Sequence, residues 1–202
     1  MNNTSGFAPL VSTLSEHKDT IADVVDLGLE ASENIPFVGW AVKLWRIKET
    51  YQEHLLKRNV KAFLQYSTIS DINEFVNKFE TEEDKQDFAD TVAQVLLNSE
   101  KPIKGSIISN VINSLSAGKI TAKEAGDMNL IILSSSIPAL KALHDFFKEN
   151  PTGNTSTLSQ SARVLSPLLM SMGVLHVQGN MTRVSSMGTK INEFGIGNII
   201  LN

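Results

Sequence analysis

Apolar residues recur three and four positions apart through most of this chain, the spacing that lines up one face of an α-helix. Ile21, Val24, Val25 and Leu29 form the first such stripe. Pro36 stands where the first position of a helix tolerates a missing N–H, and no proline or turn cluster interrupts the chain from Phe37 to Tyr66. The pattern predicts one helix of roughly 30 residues, about 45 Å long, buried along Leu44, Ile47, Tyr51 and Leu55. A short helix after Ser70 turns Ile72, Phe75, Val76 and Phe79 inward. Thr81 with Asp84 reads as a weak N-terminal cap for a helix that buries Phe88, Val92, Val95 and Leu96. Ile107, Ile108, Val111, Ile112 and Leu115 make a clean stripe stopped by Gly118. Thr121 with Glu124 is a full capping-box pair ahead of Met128, Ile131 and Ile132. Ser136, with Pro138 just inside, opens a helix carrying Leu140, Leu143, Phe146 and Phe147.

The pattern then changes. Residues 150–157 combine proline, glycine and small polar residues, with almost nothing to bury, and read as a linker. Val164, Leu165, Leu168, Leu169 and Met172 predict a helix ending at Gly173. Val174–Gln178 and Met181–Ser185 flank Gly179-Asn180 as two short strands of a tight hairpin. A short helix with Met187 and Ile191 follows, ending near Gly195. The expected fold is mainly α: a bundle of six to seven helices over 1–149, a linker at 150–157, and a helix–hairpin–helix element over 158–202. No internal repeat is visible.

Composition bounds the function. The 202 residues are 42% apolar and 20% charged, enough to bury a sizeable core. The net charge of −4 favours neither a general nucleic-acid binder nor an acidic solvating protein. Cysteine is absent, which excludes disulfides, thiolate metal sites and thiol nucleophiles. Met1–Leu10 has no basic stretch ahead of an apolar one, so a secretory signal is not expected. No apolar run approaches the ~20 residues that span a bilayer. The expected location is the cytoplasm, with the periphery of an inner membrane as a second setting. Charge is uneven: residues 36–66 hold six lysines and arginines against two glutamates, and 67–100 hold nine acids against two lysines. Both stretches read as solvated or loosely complementary faces; the sharper reading is a pair of opposite contact faces in a homo-oligomer.

No recognisable catalytic apparatus follows from the motifs. Asn113–Ile120 approaches a phosphate-binding loop but has Asn for the first Gly and Ile for the last Ser/Thr, and it ends a helix instead of preceding one. His17, His54, His144 and His176 have no second histidine at helical spacing. Ser134-Ser135-Ser136 lacks the flanking glycines of a nucleophile elbow and reads as a helix cap. Glu82-Glu83-Asp84 falls at a helix start, where negative charge offsets the dipole. No metal, cofactor or catalytic residue is expected.

Two segments read as surfaces for other molecules. Pro36–Trp45 is apolar on nearly every side and holds both tryptophans. Its ordinary reading is core. Its functional reading is a partner-binding or peripheral membrane segment, with Phe37, Trp40 and Trp45 as anchors and Lys43 and Arg46 at the headgroup level. The second is the tail. Leu168-Leu-Met-Ser-Met-Gly173-Val-Leu-His-Val followed by Thr182-Arg-Val-Ser-Ser-Met-Gly188-Thr-Lys-Ile resembles the last part of winged-helix domains, where a helix leads into a two-stranded wing and then into a short helix opening with Thr/Ser-x-x-Gly. The resemblance implies a recognition helix ending at Gly173 and a wing over 174–185, with Arg163, His176, Arg183 and Lys190 as nucleic-acid contacts. The helix carries one base, Arg163, where phosphate contacts call for several.

Taken with the Ile-Pro-x-x-Gly-hydrophobic entry into the basic helix, the arrangement resembles small uncharacterised bacterial proteins of prophages and phage-defence regions, the abortive-infection type among them. That resemblance implies a role in phage defence or superinfection exclusion, and with the two candidate surfaces and no catalytic motif the expected function is that of a non-enzymatic interaction protein, acting through partner sensing or membrane perturbation. A protein partner or a second copy is the expected contact. Alternatives are a winged-helix transcriptional regulator and an enzyme whose site is assembled from distant residues.

Overall fold

The computed structural model describes residues 51–67, 75, 77–197 and 199. The Ile21–Leu29 stripe, the Pro36–Trp45 segment and the first part of the long helix predicted from Phe37 lie outside them. The described architecture is mainly helical, as the periodicity predicts. In chain order it runs α1 (Tyr51–Tyr66), α2 (Glu82–Asn98), α3 (Ile103–Ser116), α4 (Ala122–Ser134), α5 (Ile137–Glu149), β1 (Asn154–Ser156), α6 (Gln160–Ser171), β2 (Leu175–Gln178), β3 (Met181–Val184) and α7 (Ser186–Lys190). A π-helical turn, Ile191–Ile196, continues directly from α7.

Local chemistry sets the helix ends where the sequence places them. The Thr81 hydroxyl accepts from the Asp84 N–H at 3.0 Å to start α2. At α4 the Glu124 N–H donates to Thr121 Oγ1 at 3.2 Å and the Thr121 N–H to Glu124 Oε2 at 2.9 Å, a complete capping box. Ser136 caps α5 through the Ala139 N–H, and the neighbouring Ser134 and Ser135 hydroxyls donate to carbonyls of the preceding turn. Gly118 ends α3 at φ +68°, a left-handed conformation that glycine adopts without a side-chain clash.

α3 is the axis of the fold. Ile107, Ile108, Val111 and Ile112 are fully buried, and the helix packs against α1, α2, α4 and the π-turn. α1 crosses it closely because Gly105 has no side chain: a Cβ there would stand 2.6 Å from the Asn59 carbonyl oxygen. Buried Asn59 in turn donates from Nδ2 to the carbonyls of Leu96 and Ser99 at 2.9 and 2.7 Å, tying α1 to the end of α2. Phe75, Phe79 and Phe88 cluster beside them, with ring centroids 5.1–6.2 Å apart. The Arg58 guanidinium of α1 donates to the Glu100 backbone carbonyl just past α2. Lys104 donates to the Leu133 carbonyl at 2.9 Å, and burial holds its ammonium below the ordinary lysine range, against the opposing pull of Glu100.

Within the stretch 150–157, read from its composition as a linker, three residues are part of a sheet. Asn154–Ser156 forms β1 and pairs antiparallel with β3 (Asn154↔Arg183, Ser156↔Met181), giving a three-stranded sheet of order β1-β3-β2. Its polar sequence gave no strand pattern, because a three-residue strand held mainly by backbone bonds has little apolar surface to reveal it. One apolar core runs across this junction, from Phe146 and Leu143 through Leu169, Val174 and Val184 to Ile191 and Ile196. Among the described residues no single helix is long and apolar enough to cross a membrane. The apolar faces of α4 and α5, which are bent by 119° at Ser135-Ser136, are turned into this core.

Candidate interaction surface

The C-terminal element is positioned by three devices. The Ser159 hydroxyl accepts from the Ala162 N–H to start α6. Gly179 turns the hairpin at φ +58°. The Ser185 hydroxyl accepts from the Gly188 N–H at 3.1 Å to start α7, and Gly188 is the residue of the Ser-x-x-Gly pattern for a steric reason: a Cβ there would lie 2.6 Å from Val184 Cγ1 and 2.9 Å from Val174 Cβ. The end of the hairpin is thereby clamped onto the next helix.

The register divides the hairpin into two faces. Leu175 lies opposite Val184 and Val177 opposite Thr182; Leu175, Val184 and Thr182 are buried, which makes this the inner face. His176 lies opposite Arg183 and Gln178 opposite Met181 on the outer face. Val177 on the inner face of the edge strand β2 and Met181 on the outer face of β3 are each about half exposed, 51% and 48%. The Thr157 N–H donates to the Asn180 carbonyl at 3.0 Å, which brings Leu158, 72% exposed, beside the hairpin tip. On α6 the exposed stripe is Gln160, Arg163, Val164, Pro167 and Met170. Pro167 therefore loses its backbone donor on the solvent side, where the cost is smallest.

Val164 is a correction. Its spacing assigns it to the buried stripe of α6, yet it is 63% exposed. The buried stripe is instead Ser161, Ala162, Leu169 and Met172, flanked by the half-buried Leu165 and Leu168. Two small residues carry the first turn of the packing because α6 there lies close against α5 and the sheet.

Of the residues predicted to contact nucleic acid, His176 and Arg183 are brought together, opposite one another on the outer face of the hairpin. Arg183 is partly engaged, donating from Nε to Asn154 Oδ1 at 2.7 Å. Arg163 is exposed on a different element, α6. Lys190 is drawn away, paired with Glu124 across to α4. That hydrogen bond from Lys190, together with the Thr121 N–H, holds the Glu124 carboxyl below the usual carboxylate range. The other predicted contact residues, Phe37, Trp40, Lys43, Trp45 and Arg46, lie outside the described residues. Among the described residues no three His, Asp or Glu side chains gather where an ion could sit.

The feature that sequence reasoning missed is apolar. Seven large hydrophobic side chains are exposed among the described residues, and five of them, Leu158, Val164, Met170, Val177 and Met181, fall within 158–181. A signal was present in the hairpin, where Val177 and Met181 stand next to the turn, beyond the reach of a core partner. Comparisons with protein-family models, with curated proteins and with solved structures return no match.

Proposed function

We propose that the chain is a non-enzymatic interaction protein whose contact surface is the α6–hairpin element, working in phage defence by sensing a partner protein. The observation that carries the reading is that five of the seven large hydrophobic side chains exposed among the described residues fall on α6, its lead-in and the hairpin. Isolated exposed hydrophobics are ordinary on a protein surface, but several together mark contact sites. The setting in phage defence rests on the likeness of the entry motif, the basic helix and the tail to abortive-infection proteins.

The test is protection of a bacterial host against a phage panel by plating efficiency. Wild-type chain should lower plating of at least one phage. The triple substitution Val164→Asp, Val177→Asp, Met181→Asp should abolish protection while thermal unfolding is unchanged. Undiminished protection by that variant would remove the surface from the reading, and wild-type chain that protects against no phage would remove the setting.

A second reading, a winged-helix regulator, is favoured by one observation, the outward pairing of His176 with Arg183 on a hairpin that follows a helix. It predicts salt-dependent DNA binding lost on Arg163→Ala plus Arg183→Ala. Bound DNA at low salt that is insensitive to this pair, or none at all, counts against it.

A further inference from the structure

A separate site lies at the C-terminal end of α3. The last turns of α3, the end of α1, the α3–α4 turn and the π-turn line an open groove of about 390 Å³, in volume comparable to small-molecule sites. Its walls are pinned. Asn110 Nδ2 donates to the Gly195 carbonyl at 3.0 Å, and Asn113 Nδ2 to the Tyr66 carbonyl at 2.5 Å. The fixed backbone of the π-turn carries Glu193 and Phe194 into the lining, and Gly197 closes that turn at φ +50°. Single π-turns recur at functional sites, where their wider bore displaces side chains from helical register.

The charges in this cleft are unspent. Lys119 enters from the α3–α4 turn and Glu193 from the π-turn. Neither side chain has an ion-pair or hydrogen-bond partner among the described residues, although each lines the same cleft as a charge of opposite sign. Two aromatic rings, Tyr66 and Phe194, share the lining. A ligand complementary to all of this carries an anion for Lys119, a cation for Glu193 and an apolar or aromatic body between them. We propose that the cleft binds a small zwitterion of the α-amino-acid class with an aromatic side chain: its carboxylate on Lys119, its ammonium on Glu193, its ring against Tyr66 and Phe194. Pinned walls lower the ordering cost of binding, which lets a few charge-assisted contacts suffice.

The probe is L-phenylalanine, followed by ligand-observed NMR and calorimetry on the full chain. Phenethylamine, which lacks the carboxylate, and 3-phenylpropionate, which lacks the ammonium, are the controls. Phenylalanine should bind, and each control should bind at least about tenfold more weakly, ~1.4 kcal/mol. Lys119→Met and Glu193→Gln should each weaken phenylalanine by a similar factor. Both side chains are exposed, so both variants should melt with the wild-type protein. No phenylalanine binding at about 10 mM, beyond the millimolar affinity such contacts support, overturns the proposal. So does equal binding of either control, or undiminished binding by the two variants. None of these outcomes touches the α6–hairpin reading, which concerns another face.

Discussion

α3 and α6 are built on the same kind of sequence, fourteen and twelve residues with aliphatic side chains at helical spacing, and the fold treats them differently. α3 is enclosed by α1, α2, α4 and the π-turn, so its aliphatic side chains from Ile107 to Leu115 vanish from solvent. α6 has α5 and a narrow sheet on one side only. Its remaining apolar residues, Val164 and Met170, face outward, and the hairpin after it leaves Val177 and Met181 about half exposed. A stripe tells which residues want burial. The number of neighbouring elements tells how many obtain it, and the surplus on α6 is what a partner could cover.

Substitutions put that contrast to the test. The largest effect is expected in α3. Ile108→Ala should cost about 2–5 kcal/mol, whereas Val164→Ala on α6 should stay within about 0.5 kcal/mol; urea unfolding of the two variants measures the difference, and equal losses would erase the distinction between the helices. Gly105→Ala should cost about 1–3 kcal/mol, because its Cβ meets the Asn59 carbonyl, which is backbone and cannot swing aside. A wild-type melting curve would show that α1 is not held this close to α3.

A gain is expected at Asn129. This residue is fully buried in α4, and neither its amide nitrogen nor its oxygen has a partner. Asn129→Leu should therefore raise stability by on the order of 1 kcal/mol. A loss on calorimetry would point to a polar group serving that amide.

The smallest effect is expected at an ion pair outside both helices. The Lys190–Glu124 pair bridges α7 to α4. The Glu124 carboxyl is held below its ordinary range, so its contribution is present above the unfolded-state carboxylate range and lost as pH falls through the folded value. Lys190→Met should flatten part of the acid-side decline in melting temperature without altering the curve near neutrality in shape. An acid branch identical to that of the wild-type chain would show the pair to be without consequence.

Much of the fold was legible. The helix ends at Thr81, Thr121 and Ser136, the stop at Gly118 and the hairpin at Gly179-Asn180 follow from rules that act within a few residues: a hydroxyl reaches a nearby N–H, and a glycine takes a left-handed turn. The core stripe of α3 was legible for the same reason, since helical periodicity is a local geometry. The site was less so. Arg183 and His176 could be read as neighbours once the hairpin was placed, but the diversion of Lys190 to Glu124, 66 residues away, has no local signature.

Among the described residues, the sequence on its own determined which segments are helical, where most of them stop and which side chains seek burial, because those choices depend on neighbours along the chain. Tertiary structure alone decided that Asn154–Ser156 would complete a sheet, that Val164 would face solvent, and that Lys119 and Glu193 would share a cleft without pairing. Each of these depends on groups that meet only after distant segments pack, where the outcome is set by how much surface the surrounding elements can cover.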